Sequence, residues 1–386
     1  MISDVAPTDV SASSRKFSFS RLAWLGSVVV CGVLPALVVV LLFETALQDD
    51  TVATDFRQFY RAAEVILQGN SPYDGRGEAL TAWGGPYPYP PLPALLALPL
   101  TVLSLQAAGL LVMACLVLVA LAIPLVLGVR DWRCYGLVLL WPPVLSAVQT
   151  ANVTLWFALA CAVAWRVRNR PWPSSAAIGV TLAAKFFLWP LVIWFAATRR
   201  LLAAGLACAI GAGLLLLSWV PIGFSGFRDY PGLLRRLEHT VGDDSYTTYI
   251  VGLDLGMPSM LARAAWLGVG LALLSAVVVV ARRGDERSAF ILAIATALAL
   301  TPIVWLHYFA LLVVVVALVQ PRLGFVWFVP LGMVLTPGSG HPSKFETLAT
   351  LAITALTIAL ALRASRIAGF NADRSRAAVP VPMTSS

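Results

Sequence analysis

Long apolar runs alternate with short polar segments along almost the whole chain. Such runs occupy positions 22–43, 106–128, 201–221 and 259–281. A helix of about 20 apolar residues crosses the roughly 30 Å hydrocarbon core of a bilayer and satisfies its own backbone hydrogen bonds. The pattern therefore predicts an all-α fold, a polytopic transmembrane helical bundle of about 11–13 membrane helices that include short broken hairpins.

The composition supports a membrane protein and leaves no room for a separate soluble domain. Hydrophobic residues make up 59% of the 386 residues, charged residues make up 12%, and the mean hydropathy is +0.84. Soluble domains contain about 25% charged residues. The sequence predicts a cytoplasmic N-terminal tail (1–21), one multi-spanning domain (22–362) and a cytoplasmic C-terminal tail (363–386).

Arginine clusters at predicted helix ends indicate the orientation in the membrane. Short loops rich in Lys and Arg usually face the cytoplasm. With the clusters on that side, both termini are cytoplasmic and loops 44–90 and 223–258 face outward. The net charge of +8 is then a consequence of topology and does not require a nucleic-acid partner. The clusters are Arg130/Arg133, Arg166/Arg168/Arg170, Arg199/Arg200, Arg282/Arg283/Arg287 and Arg363/Arg366.

Two segments must fold back within the membrane for this orientation to hold. Segment 134–166 would bend at Gln149–Asn152, and segment 172–197 would bend near Lys185. Arms of about 11–15 residues are too short to cross the bilayer, and such broken helices are tolerated where protein buries them or where they line a cavity. In the alternative, 172–197 is one straight span, which buries Lys185 in mid-membrane and places two Arg clusters outside.

Three ionisable residues fall on the predicted outer face, and each has a structural as well as a functional interpretation. Asp55 opens an amphipathic stretch that continues to Gln68, and it suits capping of that helix as well as catalysis. Lys185 either reaches to the membrane interface or binds an anion such as phosphate. His307, at the proline-broken corner 301–308, is either a buried histidine bonded to a carbonyl or part of a site. Ionisable residues on a membrane scaffold are usually functional, so we predict a site on this face.

Absent motifs narrow the chemistry. The chain has no Walker-type phosphate loop, no dinucleotide-binding glycine motif, no HExxH and no GxSxG. We therefore predict no cofactor and no nucleic acid. Asp49 and Asp50 leave metal binding open, although adjacent carboxylates in a loop are more often solvated. A lipid-linked substrate that enters from the bilayer would suit an acid, a lysine and a histidine at the outer interface.

Four segments, in order along the chain, resemble glycosyltransferase family 87, multi-spanning enzymes of the C-type superfamily. The first combines Thr54-Asp55-Phe56 with Tyr87-Pro88-Tyr89-Pro90-Pro91. The second, Gln149–Asn152, is similar to a Gly-Gln-x-Asn motif in which Val148 replaces the glycine. The third, Lys185–Pro190, is similar to a Lys-x-x-Pro-like segment with one extra residue, and the fourth, Thr301–Tyr308, to Ser-Pro-x-x-Trp-x-His-Tyr.

The resemblance implies a C-type glycosyltransferase architecture and the transfer of a sugar, most often mannose, from a polyprenyl-phosphate carrier to a lipid or glycan acceptor. The reaction would invert the anomeric carbon on the outer face of the cytoplasmic membrane, among membrane lipids and without a cofactor. Asp55 would be the general base, and Lys185 and His307 would bind the carrier phosphate. The substrate-binding residues implied are Arg57, Tyr60, Tyr89, Gln149, Asn152, Ser245 and Tyr246.

Two other classes of protein fit the same group of residues. A transporter or flippase for a lipid or small solute would use an outer cavity without making bonds. It would need a second, inward-facing set of polar groups, whereas the predicted inner loops contain only short Arg clusters. A structural component of an envelope-assembly complex would keep its function when Asp55 is replaced by asparagine.

Overall fold

The computed structural model of the protein describes residues 21–48, 53–73, 87–241, 245–336 and 342–377. This part of the chain is helical and contains no β-strand. Four of its segments form 3₁₀ helices, Leu98–Val102, Val220–Ile222, Leu306–Leu311 and Phe325–Leu335. The longer helices, in chain order, are α1 (Arg21–Gln48), α2 (Thr54–Leu67), α3 (Pro91–Ala97), α4 (Leu105–Val126), α5 (Trp132–Leu140), α6 (Pro142–Gln149), α7 (Thr154–Arg166), α8 (Pro171–Ala184), α9 (Pro190–Ala197), α10 (Leu201–Trp219), α11 (Tyr230–Val241), α12 (Thr248–Asp254), α13 (Ser259–Arg282), α14 (Glu286–Leu300), α15 (Leu312–Val319) and α16 (Lys344–Ala377).

Five helices are long and apolar enough to cross a membrane. They are α1, α4, α10, α13 and the Lys344–Ile367 part of α16. The first four coincide with the four apolar runs of the sequence. Only 11% to 39% of each span is buried inside the protein, which leaves most of its surface for lipid. The prediction of a polytopic helical membrane protein is confirmed. The last helix passes the predicted domain boundary at 362 and continues to Ala377.

The helices are interrupted at both predicted bends. Helices α6 and α7 meet at an angle of 120°, and α8 and α9 are separated by the non-helical segment 185–189. An eight-residue helix such as α6 or α9 is only about 12 Å long, so it cannot cross a bilayer alone. The predicted total of about 11–13 membrane helices included such pieces. Within the described residues, five segments have the length of a full span, or six if α6 and α7 are counted as one bent span.

Small residues allow the closest helix approaches. A Cβ atom on Gly136 of α5 would lie 1.8 Å from the carbonyl oxygen of Cys31 in α1. A Cβ atom on Gly179 of α8 would meet the side chain of Ile210 in α10 at 2.7 Å. Without a hydrophobic driving force between helices in lipid, such close backbone packing is a main source of helix association.

The Asp131 carboxylate at the start of α5 connects this helix with the segment 321–323. Asp131 caps this helix and receives two hydrogen bonds from the Arg133 guanidinium, of 3.0 and 2.7 Å. The Leu323 amide donates to the same carboxylate at 3.1 Å. The Arg133 side chain, followed by the backbone amides, lowers the pKa of Asp131 to about 2. A second bond, from the Arg130 amide to the Pro321 carbonyl, completes the connection.

Aromatic packing fixes helix α2 beside the bundle. Phe59 packs edge-to-face on Tyr87 and Tyr89, at centroid distances of 6.2 and 4.9 Å. On the neighbouring side of α2, the Tyr60 hydroxyl donates a 2.8 Å hydrogen bond to the Leu103 carbonyl. Asp55 is in the first turn of this helix, so the same packing determines its orientation.

We expect Gly136→Ala to destabilise the protein, because the added methyl group meets a backbone carbonyl that cannot rotate away. Overpacking of this kind costs about 1–3 kcal/mol. Thermal unfolding in detergent, followed by tryptophan fluorescence, should show a lower midpoint. Gly205→Ala in α10 is the matched control, since no atom lies within 4 Å of its added Cβ. Equal midpoints for the two variants would contradict the proposed close contact of α1 and α5.

Candidate active site

The start of helix α2 is capped by the backbone of the loop between α6 and α7. The amide of Ala53 donates to the Gln149 carbonyl at 2.9 Å, and the amides of Asp55 and Phe56 donate to the Thr150 carbonyl at 2.9 and 3.4 Å. The first amides of a helix have no partner within it, and these carbonyls fill that role. Asp55 therefore does not serve as the N-cap, and its carboxylate is left for other contacts.

A buried amide holds the Asp55 carboxylate. Asn152 Nδ2 donates to Asp55 Oδ2 at 2.7 Å. The Asn152 Oδ1 atom accepts from the amide and the hydroxyl of Thr154, at 2.8 and 2.5 Å. The backbone amide of Thr154 can only donate, so the Asn152 atom that it contacts must be the oxygen, and the NH₂ group of Asn152 must face Asp55. Asn152 is 1% exposed, so this orientation is fixed by its surroundings.

The proline-broken corner brings His307 to the same carboxylate. After α14 ends at Leu300, the chain turns through 301–305, and the 3₁₀ segment Leu306–Leu311 packs on α6 and α7. His307 is buried, and its Nε2 atom lies 3.9 Å from Asp55 Oδ2. This nitrogen has no hydrogen-bond partner among the described residues. His307 is thus not a histidine satisfied by a carbonyl at that atom.

Lys185 joins the cluster from the bend between α8 and α9. Its amide makes the last hydrogen bond of α8, to Thr181, and its extended backbone then leaves the helix. Its amine donates to the Tyr308 hydroxyl and lies 5.0 Å from the centre of the Tyr89 ring. The sequence did not single out Tyr308, although the residue follows His307 directly and the motif that resembles the family ends on it.

Three of the predicted substrate-binding residues lie near this cluster by backbone or side chain. Tyr89 contacts Lys185 through its ring, and Asn152 bonds Asp55 directly. Gln149 contributes the carbonyl that caps α2, while its side chain is exposed.

The other predicted substrate-binding residues make different contacts. Tyr60 uses its hydroxyl on the Leu103 carbonyl, away from Asp55. Arg57 is two positions from Asp55, and residues at that spacing do not share a helix face. Ser245 Oγ accepts from the Val304 amide at 2.7 Å, and the Tyr246 amide donates to the Val304 carbonyl at 2.8 Å. Ser245 and Tyr246 therefore support the corner that leads to His307.

The arrangement places one carboxylate beside two groups that can carry positive charge. None of the hydrogen bonds between described residues uses Asp55 Oδ1, so this oxygen can accept a proton. Lys185 and His307 can stabilise an anion on the adjacent side. The described part of the chain contains no group of three His, Cys, Asp or Glu side chains that could hold a metal ion. Asp49, Asp50, Asp243 and Asp244 lie outside the described residues.

Comparison with known proteins gives one family. The profile of Glycosyltransferase family 87 matches residues 87–306, more than half of the chain. The matched range contains Tyr89, Asn152 and Lys185, and it ends immediately before His307, while Asp55 precedes it. No curated protein and no solved structure gave a match.

We expect Ser245→Ala to loosen the corner that carries His307. The substitution leaves the buried Val304 amide without its acceptor, which costs about 1–3 kcal/mol. Hydrogen–deuterium exchange should show faster exchange for residues 302–309 in the variant. Ser27→Ala is the control, because its hydroxyl bonds a carbonyl on the exposed surface of α1. Unchanged exchange at 302–309 would show that Ser245 does not support the corner.

Proposed function

Because the chain belongs to glycosyltransferase family 87, we propose that it transfers mannose from a polyprenyl monophosphate carrier to a lipid or glycan acceptor. The reaction inverts the anomeric carbon on the outer face of the cytoplasmic membrane. The observation that supports this best is the carboxylate of Asp55 beside Lys185 and His307. A base for the acceptor and cations for the leaving phosphate are the groups that such a transfer needs.

Asp55 is the general base in this proposal. Its Oδ1 atom takes the proton of the acceptor hydroxyl while the hydroxyl oxygen attacks the anomeric carbon. Asn152 holds Oδ2 and so fixes the direction in which Oδ1 points. The position of Asp55 in the first turn of α2 also places its negative charge at the positive end of the helix dipole.

Lys185 and His307 receive the leaving group. The bond between the anomeric carbon and the phosphate oxygen breaks, and its electron pair stays on the phosphate. A phosphate is a good leaving group, so the site needs to stabilise negative charge and has no need for a strong acid. Tyr308 positions the Lys185 amine for this contact.

The sugar lies between these groups. Tyr89 and Asn152 line the sugar site, and the ring of Tyr89 gives a flat apolar surface that suits a sugar ring. Gln149, with its exposed side chain, extends this site toward the acceptor. Ser245 and Tyr246 act by positioning the 301–308 corner.

We expect Asp55→Asn to abolish transfer while the fold is kept. Removal of a general base typically costs about 10²–10⁴ in rate. The assay offers radiolabelled polyprenyl-phosphate-mannose and a membrane lipid extract to purified protein in lipid nanodiscs, and it follows label into a new lipid. Glu64→Gln on the same helix is the matched control, because Glu64 is partly exposed and pairs with the exposed Arg61.

A transfer rate in Asp55→Asn equal to that of the wild type would exclude Asp55 as the base. No transfer by the wild type from this or other polyprenyl-phosphate sugars would contradict the proposed reaction and favour transport or assembly. The product's anomeric configuration, measured by NMR, provides a separate check, and retention of the donor configuration would contradict a single displacement.

Lys185→Met should lower kcat by about 10²–10³ without recovery at high donor concentration. The reason is that the charge on the phosphate grows as the bond breaks, so the lost interaction belongs mainly to the transition state. Initial rates over a range of donor concentrations test this. Lys344→Met is the control. The Lys344 amine makes an exposed hydrogen bond to the Asp254 carbonyl, and Asp254 is not a residue of the cluster. An effect on KM alone would show that Lys185 only binds the donor in its ground state.

A further inference from the structure

A buried glutamine follows Asp55 by three residues on α2, and its oxygen has no partner. Gln58 is 5% exposed, and its Oε1 atom makes no hydrogen bond to any described residue. The transfer reaction proposed above gives this side chain no role. A buried amide oxygen without a partner destabilises a protein, so its presence needs a physical explanation.

Gln58 lies on the same side of α2 as Asp55. Residues three apart on a helix are neighbours, with Cβ atoms about 5–6 Å from each other. Side chains of a helix lean toward its N-terminus, so the Gln58 side chain extends over the turn that carries Asp55. Its terminal amide can therefore reach the space beside the Asp55 carboxylate.

The residues that flank Asp55 on this side of α2 distinguish two directions. At 3.6 residues per turn, Phe59 is displaced about 40° to one side of Asp55 and Gln58 about 60° to the other. The Phe59 ring packs on the Tyr89 ring at a centroid distance of 4.9 Å, and the Lys185 amine lies 5.0 Å from the Tyr89 ring. Phe59 thus marks the direction of the phosphate-binding lysine, and Gln58 lies in the other direction.

Gln58 is at the edge of the buried side of the helix. Ala62, between the directions of Asp55 and Gln58, is fully buried. Arg61, three residues beyond Gln58 and farther round the helix, has a side chain that is 49% exposed. A molecule that approaches Asp55 from this exposed surface therefore passes Gln58.

We propose that Gln58 binds the acceptor through a hydroxyl close to the one that Asp55 deprotonates. The inference rests on the function proposed above. In an inverting displacement the acceptor attacks the anomeric carbon from the side opposite the leaving phosphate. This places the acceptor on the side of Asp55 that is away from Lys185, which is where Gln58 lies.

The chemistry of the amide suits a hydroxylated acceptor. The Gln58 oxygen accepts a hydrogen bond from one hydroxyl, and its NH₂ group can donate to a further acceptor oxygen. The last torsion of a glutamine side chain has a broad energy minimum, so the amide can turn to the ligand. The acceptor then carries a second hydroxyl near the attacking one, as a sugar or polyol headgroup does.

Gln58→Met keeps the length of the side chain and removes both hydrogen-bonding groups. The lost interaction is present in the bound acceptor before and during the reaction. We therefore expect the apparent KM for the acceptor to rise about fivefold, while kcat and the KM for the donor stay unchanged. The nanodisc assay with radiolabelled polyprenyl-phosphate-mannose measures these constants when the amounts of membrane lipid extract and donor are varied in turn. Gln68→Met, the same change at an exposed position after α2, is the matched control and should behave like the wild type.

Thermal unfolding separates acceptor binding from a structural role. Methionine removes the unpartnered oxygen, so the midpoint of Gln58→Met should equal or exceed that of the wild type. A lower midpoint together with a lower kcat would mean that Gln58 supports the fold, and the proposal would be overturned. Gln58→Asn, which keeps a shorter amide, provides a second comparison, and its acceptor KM should lie between those of the wild type and Gln58→Met.

The kinetic results also separate this inference from the proposed function. A wild type that transfers label, with an unchanged acceptor KM in Gln58→Met, would contradict the role of Gln58 alone. A wild type that transfers no label from any polyprenyl-phosphate sugar would contradict the proposed function and this inference with it.

Discussion

The contact between the start of α2 and the α6–α7 loop determines the geometry of the whole site. Three backbone amides of residues 53–56 bond the carbonyls of Gln149 and Thr150. In a bundle surrounded by lipid, an unpaired amide or carbonyl costs several kcal/mol, so two broken helical ends are best satisfied by each other. Asp55 and Asn152 lie within a few residues of these bonds. One backbone contact therefore sets both the carboxylate and the amide that orients it.

This contact requires unusual backbone at both of its edges. Ala53 and Ala151 have φ angles of 58° and 51°, in the left-handed region. For a residue other than glycine this conformation costs about 1–2 kcal/mol. Both alanines are buried. Gly109 of α4 leaves space for the Ala53 side chain, because a Cβ atom added to Gly109 would lie only 3.3 Å from the Cβ of Ala53. Strain on either side of a candidate active site, maintained by surrounding packing, is a recurrent feature of functional sites.

Much of the fold follows from local sequence, whereas the site depends on contacts that local sequence does not contain. Apolar runs of the right length predicted four of the spans, and arginine positions predicted both hairpin bends. Asp55, Lys185 and His307 were predicted to share one face, and the structure brings them together. Their partners could not be predicted, because Asn152 lies 97 residues from Asp55 and Tyr308 lies 123 residues from Lys185.

Residue type alone was also insufficient for the predicted substrate-binding residues. Tyr60 and Tyr89 are both aromatic residues near the predicted site. The first bonds a carbonyl at the end of the 98–102 segment, and the second contacts Lys185. Ser245 was predicted to touch substrate, and its hydroxyl instead bonds the backbone of the 301–308 corner. Tertiary packing determines which of these hydroxyls already has a hydrogen-bond partner in the protein. A short sequence motif does not contain that information.

The charges of the cluster suit a reaction that moves negative charge and does not create it. In the proposed transfer, Asp55 loses its negative charge when it accepts the acceptor's proton. The carrier phosphate gains a negative charge when the bond to the sugar breaks. The total charge of the centre is then unchanged, which matters because isolated charges are costly in a low-dielectric interior. Lys185 and His307 are near Asp55 before the step and would be near the phosphate after it. Their interaction with the departing phosphate then exceeds their interaction with the bound donor, and an interaction that is stronger in the transition state than in the ground state accelerates the reaction.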